Sequence, residues 1–189
     1  MLEPFDLKKL GWGSSRLTHL MVEAKKRAYS DRAEYLGDPD FFDVPLETLI
    51  SKNYAKERFK DFEWDRVSKS DQISHGNITI QENTETTHFS VMSSDGMAVS
   101  FTTTLNSPYG NKIVIPGAGF LLNNEMDDFS IKANVMNQYN LLGREANSIE
   151  PGKRMLSSMS PTLVVRDGIP ILVTGSPGGS TIITSVLQE

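Results

Sequence analysis

The sequence predicts an α+β protein, with helices gathered in its first part and strands in its second. Two observations carry that prediction. Charge is uneven: residues 1–85 hold 13 basic and 16 acidic side chains, whereas residues 86–189 hold 6 and 8. Apolar spacing changes at the same place, from a helical period to short β-branched runs separated by turn residues. The first part reads as helical and solvated, the second as buried and strand-rich.

Two helices are expected in the first part. Ser14-Ser15 can cap a segment whose apolar residues Leu17, Leu20, Met21, Ala24 and Ala28 recur at helical spacing. Glu23 and Arg27 form an i,i+4 pair on it. Gly37 and Asp38-Pro39 stop it. A second helix is expected from Pro45 through Leu46, Leu49, Ile50 and Tyr54 toward Phe59. Residues 63–85 are polar, have no clear period, and read as a loop or linker.

Hairpins follow. His88–Met92 and Met97–Phe101 flank the turn residues Ser94-Asp95-Gly96, and Thr162–Val165 and Ile169–Val173 flank Asp167-Gly168. Pro170 places its strand at an edge or places itself at a strand start. Beyond a Gly-rich turn, Gly175 to Gly179, the residues Ile182, Ile183, Val186 and Leu187 take helical spacing.

Composition excludes several classes. The net charge of −5 argues against nucleic acid or a polybasic membrane surface as partner. No apolar run has the length of a membrane span. Without cysteine there is no disulfide, thiolate metal site or cysteine nucleophile. His19, His75 and His88 lie far apart without ligand spacing, so no metal and no cofactor is expected.

Three clusters stand out as places where chemistry could sit. Thr84-Glu85-Thr86-Thr87-His88 sits where the composition changes. Asn123 to Phe129 (NNEMDDF) is dense in carboxylates and amides; it could bind an ammonium group, coordinate calcium or form a solvated turn, although it misses calcium-loop spacing. Gly175-Ser176-Pro177-Gly178-Gly179 ahead of a helix is an oxyanion hole, a phosphate site or a plain turn. No Lys-Ser/Thr pair follows it, which argues against a nucleotide loop.

In chain order come Thr86 to Val91 (TTHFSV), Thr104-Leu105-Asn106, Leu121 to Phe129 (LLNNEMDDF), Arg154 to Thr162 (RMLSSMSPT) and Thr174 to Ser180 (TGSPGGS). Together they resemble the γ-glutamyltransferase (γ-glutamyltranspeptidase, glutathione hydrolase) family of N-terminal-nucleophile hydrolases. Ala28 to Asp40 (AYSDRAEYLGDPD) is similar to the end of that family's large subunit. The resemblance covers nearly the whole chain. It implies a four-layer αββα sandwich, incomplete in this chain, with residues 1–85 from the large subunit and residues 86–189 from the small catalytic subunit.

The resemblance also implies roles. Self-cleavage is expected between Glu85 and Thr86, freeing the Thr86 amine as base for its own hydroxyl. Thr86 would attack a γ-glutamyl carbonyl and form an ester, which water or an acceptor amino acid or peptide resolves. Thr104 would bond to the nucleophile, and the N–H groups of Gly178 and Gly179 would hold the oxyanion. Ser157 and Ser158 would donate to the substrate α-carboxylate. Asn106, Glu125 and Asp128 would accept from its α-ammonium. Ala133 to Arg144 corresponds to a lid loop with Tyr139 at the gate. The partners implied are glutathione or other γ-glutamyl compounds and the remaining parts of both subunits. A periplasmic or extracellular location is implied as well.

Family chains run longer at both ends, and their arginine clamp for the α-carboxylate has no counterpart in residues 1–85. The sequence therefore reads as an internal fragment across the subunit junction, expected to have open sheet edges and low stability alone. The alternatives are a cephalosporin or glutaryl acylase using the same nucleophile, or an inactive ligand-binding remnant. Asn106, Asp128 and Ser157-Ser158 favour the glutamyl head.

Overall fold

The computed structural model describes residues 1–70, 72–73, 86–130, 135 and 143–189. The chain divides into two compact units. One comprises Met1–Thr79, Ser130–Val135 and Leu142–Arg154; the other comprises Ile80–Phe129, Met136–Leu141 and Met155–Glu189.

In the first unit, Asp6 caps a single turn, α1 (Leu7–Leu10), which Gly11 ends at φ +79°. The sequence reading missed this turn, although both signals were present. Ser14 then caps α2 (Ser15–Tyr35), its hydroxyl accepting from the Leu17 N–H at 3.1 Å. The second expected helix is two. α3 (Leu46–Leu49) ends at Ile50, and Ser51 restarts the chain as α4 (Lys52–Arg58) by capping the Tyr54 N–H. The extended backbone at Ser51 breaks the helix that the apolar spacing predicted.

Leu20, Ala24 and Phe59 form the core of this unit, with Phe5, Phe62 and Trp64 packed around them edge-on or stacked. Fully buried Leu20 contributes about 2 kcal/mol by its area alone. The inner face of α2 is not purely apolar, however. Ala28 is exposed, while Glu23, Arg27 and Asp31 are buried. Arg27 donates to Glu23 at 2.8 Å and to Asp61 at 2.8 Å, and Lys26 reaches both Glu23 and the Ser68 carbonyl. The expected Glu23–Arg27 pair therefore exists, but as a buried pair and not a solvated one. Helical spacing fixes which residues share a face; neighbours from 59–68 decide that this face is inside.

Burial pushes the Glu23 carboxyl up, but hydrogen bonds from Lys26, Arg27 and Ser68 outweigh burial and lower it to about 2 from 4.5. A lowered carboxylate pKa gives stability that is complete above the ordinary value and lost as pH falls through the folded one. By linkage the gap corresponds to on the order of 3 kcal/mol. Denaturation midpoints of the wild type should fall between pH 4.5 and pH 2 by more than those of Glu23→Gln. Parallel profiles would refute this.

The second unit holds two antiparallel ribbons, β1 (Thr86–Met92) with β2 (Ala98–Thr104) and β3 (Thr162–Arg166) with β4 (Ile169–Thr174). Both hairpins lie where the sequence predicts them. Asp167 and Gly168 both adopt positive φ, as a two-residue turn requires. Pro170 sits at a register shift opposite Val165, where the ladder does not need its missing N–H.

One side of the first hairpin carries Thr86, His88, Ser100, Thr102 and Thr104, and the other carries Phe89, Val91, Val99 and Phe101. The polar side meets β4: the Ser100 hydroxyl donates to the Thr174 carbonyl at 2.7 Å and accepts from the Thr162 N–H at 3.0 Å. The apolar side is the open one, with Phe89 and Phe101 stacked at 5.0 Å yet 47% and 46% exposed. The expectation of a buried second part therefore fails for these strands. A two-stranded ribbon has too few strands to cover its own face.

Past β4, the chain turns through Gly178 and enters a 3₁₀ turn, Gly179–Thr181, and the short helix α5 (Ile182–Val186). Among the described residues no helix is long and apolar enough to cross a membrane.

Candidate functional site

Thr86 is the first residue of β1 and pairs directly with Thr104, the last residue of β2. Residues opposite each other in a ladder point their side chains to the same face, with Cβ atoms about 5 Å apart. The register therefore brings together the two threonines that the sequence singles out. They line an open cleft of about 280 Å³ with Thr87, Thr103, Leu105, Ser107, Pro108 and Tyr109.

Beyond Thr104 the chain turns sharply. The Thr104 hydroxyl accepts from the Asn106 N–H at 2.9 Å, and Asn106 adopts φ +75°, a conformation asparagine tolerates better than most residues. Asn106 is buried, and its Nδ2 donates to the Asn124 carbonyl at 3.1 Å. Asn124 in turn clamps the turn from both sides. Its Oδ1 accepts from the Ser107 N–H at 2.9 Å, its Nδ2 donates to the Ser107 hydroxyl at 3.0 Å, and its own N–H reaches the Leu105 carbonyl at 3.1 Å.

Asn124 immediately precedes the 3₁₀ turn Glu125–Asp128, so this clamp delivers the acidic cluster to the end of β2. Buried Phe129 anchors the far end of the turn. Asn123 Oδ1 accepts from the Glu125 N–H at 3.0 Å. Burial pushes the Glu125 carboxyl up, so its charged form gains from a cation placed beside it. Thr86, Thr104, Asn106 and the Glu125–Asp128 turn thus form one continuous run. Sequence reasoning placed Asn124 in the acidic cluster without giving it a role. Its function as clamp depends on Ser107, 17 residues away, and no local pattern signals that.

The other predicted residues come from later segments of the chain. Ser157 and Ser158 occupy the irregular segment ahead of β3. The Ser157 hydroxyl accepts from the Met159 N–H at 3.1 Å, and the Ser158 carbonyl accepts from the Ser160 hydroxyl at 3.1 Å. Gly178 and Gly179 follow β4 with φ of +134° and +54°. Both segments connect to the hairpin through Ser100, the former at Thr162 and the latter at Thr174. A further contact went unforeseen. The His88 ring, held by the Thr102 and Ser90 hydroxyls at 2.8 and 2.9 Å, lies flush against Gly175, where a Cβ would come within 2.2 Å of it. Any larger residue there would displace the His88 ring or the start of the Gly-rich turn. Glu85 and Tyr139, and with Tyr139 most of the expected lid, lie outside the described residues.

In the first unit Asp38, read from sequence as a helix stop, is a buried carboxylate. It accepts from the Arg154 N–H at 2.8 Å and Nε at 2.9 Å, and also from Arg154 Nη2. The Arg154 hydrogen bonds hold its carboxyl well below the usual range.

The family model described as Gamma-glutamyltranspeptidase matches residues 1–189. The glutathione hydrolase proenzyme of Escherichia coli K12 is 53% identical over 188 residues, covering all of this chain and 32% of that protein. The acylase ACY 1 proenzyme of Pseudomonas sp. SE83 is 38% identical over 189 residues, covering all of this chain and 31% of that protein. The solved γ-glutamyltranspeptidase of Pseudomonas nitroreducens, complexed with L-DON, superposes with a TM-score of 0.52 at 60% identity, over 53% of this chain and 52% of that one. This chain spans about a third of the length of the curated relatives it matches. A full-length family match, together with the paired threonines and the clamped acidic turn, gives one conclusion: the chain belongs to the γ-glutamyltranspeptidase family.

Proposed function

We propose that the whole protein transfers and hydrolyses γ-glutamyl groups, glutathione among its substrates, after cutting itself between Glu85 and Thr86. The observation that carries this reading is the placement of Thr86 opposite Thr104, whose hydroxyl already accepts the Asn106 N–H. The pairing places the two hydroxyl-bearing side chains on the same face of the ribbon. The cut converts the Thr86 nitrogen from amide to amine, a base of pKa about 7.7 on the residue that needs it.

The steps follow ordinary acyl transfer. Thr86 Oγ attacks the γ-glutamyl carbonyl carbon, its proton passing to the Thr86 amine. The N–H groups of Gly178 and Gly179 hold the oxyanion, and the amine product leaves with that proton. Water or an acceptor amine then attacks the ester and restores the hydroxyl. Asn106, Glu125 and Asp128 accept from the substrate α-ammonium; Ser157 and Ser158 donate to its α-carboxylate. The raised Glu125 pKa supports this role, since an ammonium beside it would offset the cost of burying its charge. Residues 1–85 and 86–189 then belong to the large and small subunits of a four-layer αββα sandwich, which the rest of both subunits completes.

The glutamyl reading stands above the acylase one because an acyl group without an α-ammonium has no use for the acidic turn that Asn124 holds beside Asn106. Intact-mass measurement of the full-length protein should show two pieces, the second beginning at Thr86. The processed protein should release p-nitroaniline from γ-glutamyl-p-nitroanilide and leave glutaryl-p-nitroanilide nearly untouched. A whole chain after prolonged incubation, or a preference for the glutaryl compound, would refute the proposal.

A further inference from the structure

We infer that His88 is a positioning residue for the oxyanion site, a spacer that sets the Gly-rich turn at a fixed place relative to Thr86. The inference rests on the proposed function, in which the Gly178 and Gly179 N–H groups hold the oxyanion. All the residues it uses belong to the second compact unit.

Four observations support it. First, His88 shares a ribbon face with the nucleophile. Alternate residues of a strand point to the same side, so Thr86 and His88 are neighbours on one face of β1, paired with Thr104 and Thr102 of β2. Secondly, the ring is fixed. Nδ1 pairs with the Thr102 hydroxyl at 2.8 Å and Nε2 with the Ser90 hydroxyl at 2.9 Å. Held at both nitrogens, the ring cannot swing aside without losing a hydrogen bond.

Thirdly, Gly175 lies directly against that ring. The three atoms nearest to a Cβ added there would be Cε1, Nδ1 and Nε2 of His88, all within 2.8 Å. Gly175 is not among the glycines with positive φ, so its backbone would accept alanine and only the ring stands in the way. The preceding residue, Thr174, is tied to the same ribbon face through its carbonyl, which accepts from the Ser100 hydroxyl at 2.7 Å. Fourthly, the turn has little slack beyond that point. The ring of Pro177 locks its φ. The Gly178 carbonyl then accepts from the Thr181 N–H at 3.0 Å and the Thr181 hydroxyl at 2.7 Å, next to buried Ile182. A displacement of Gly175 is therefore passed on to Gly178 and Gly179.

Oxyanion donors work by standing where charge develops, so their placement matters to the transition state and little to binding of the ground state. The contact between His88 and Gly175 should accordingly set kcat and leave KM alone.

The test is a double-mutant cycle in the full-length protein: His88→Ala, Gly175→Ala and the two together. Rates of p-nitroaniline release from γ-glutamyl-p-nitroanilide are expressed per processed chain, so slow self-cleavage does not count as slow turnover. Each single substitution should lower kcat about a hundredfold with KM within about threefold, the loss expected when reacting groups are misplaced by about 1 Å. In the His88→Ala background the methyl at 175 has lost its obstacle, so Gly175→Ala should cost less than about threefold more. General loosening of the fold would instead raise KM and make the two losses add. Should His88→Ala fail to fold, His88→Thr takes its place in the cycle, a β-branched residue suited to a strand and lacking the ring. Additive losses, a KM that rises as kcat falls, or a kcat near the wild-type value in either single variant would overturn this inference alone. A wild type that stays whole and inert would overturn the functional reading and this inference with it.

Discussion

Thr86→Ala is expected to leave the full-length protein both whole and inactive. On the proposed function the hydroxyl serves twice. In processing it attacks the Glu85 carbonyl carbon; the peptide bond to the Thr86 nitrogen breaks, and an ester to Oγ forms. Water then cleaves the ester, leaving a carboxylate on Glu85 and a free amine on Thr86. In turnover the same oxygen attacks the substrate. Alanine removes it from both reactions, and without the first the amine never forms. Transfer should fall by about 10⁴-fold or more, as when a nucleophile is lost elsewhere. Thr86→Ser keeps an oxygen on Cβ opposite Thr104 and should process, more slowly. Intact mass after days of incubation and p-nitroaniline release read the two steps separately. Processing in the alanine variant would remove Thr86 from the role of nucleophile.

Gly37→Ala is expected to be the most damaging small substitution in the first unit. Its Cβ would lie 2.0 Å from the Ala146 oxygen and 2.6 Å from the carbonyl carbon. Both are backbone atoms, so no rotamer change relieves the clash, and the two segments must move apart. Overpacking of this kind costs about 1–3 kcal/mol, occasionally more. The neighbouring residue is Asp38, so separation would also strain its bonds to Arg154. The denaturation midpoint of the full chain should fall with an unchanged slope. An unaltered midpoint would show that the segments part without cost.

Local features were legible where local forces decide. The two hairpins follow from alternation and from turn residues that accept positive φ. The long helix follows from Ser14 and its spacing. The second expected helix failed at Ser51, a cap residue inside a run whose apolar spacing continued past it. What the sequence could not show was which neighbours would arrive. Glu23 and Arg27 looked like a solvated pair until residues 59–68 covered them. Asp38 looked like punctuation because its partner Arg154 is 116 positions away. The candidate site divides in the same way. The order of its motifs marked Thr86, Thr104 and Asn106, and the β1–β2 register places the first two opposite each other. Asn124, which ties them to the acidic turn, became visible only through its bonds to Ser107.

The first compact unit takes residues from both sides of the Glu85–Thr86 bond: Met1–Thr79 from one side, Leu142–Arg154 from the other. This sets an order of events. While the chain is whole, closing the clasp around Asp38 is intramolecular and costs only loop entropy, which grows slowly with loop length. Two separated pieces would have to find each other at cellular dilution before the same contacts could form. On the proposed function, folding must therefore come first and the cut last, and the two pieces made apart should not simply mix into the product that the single chain reaches.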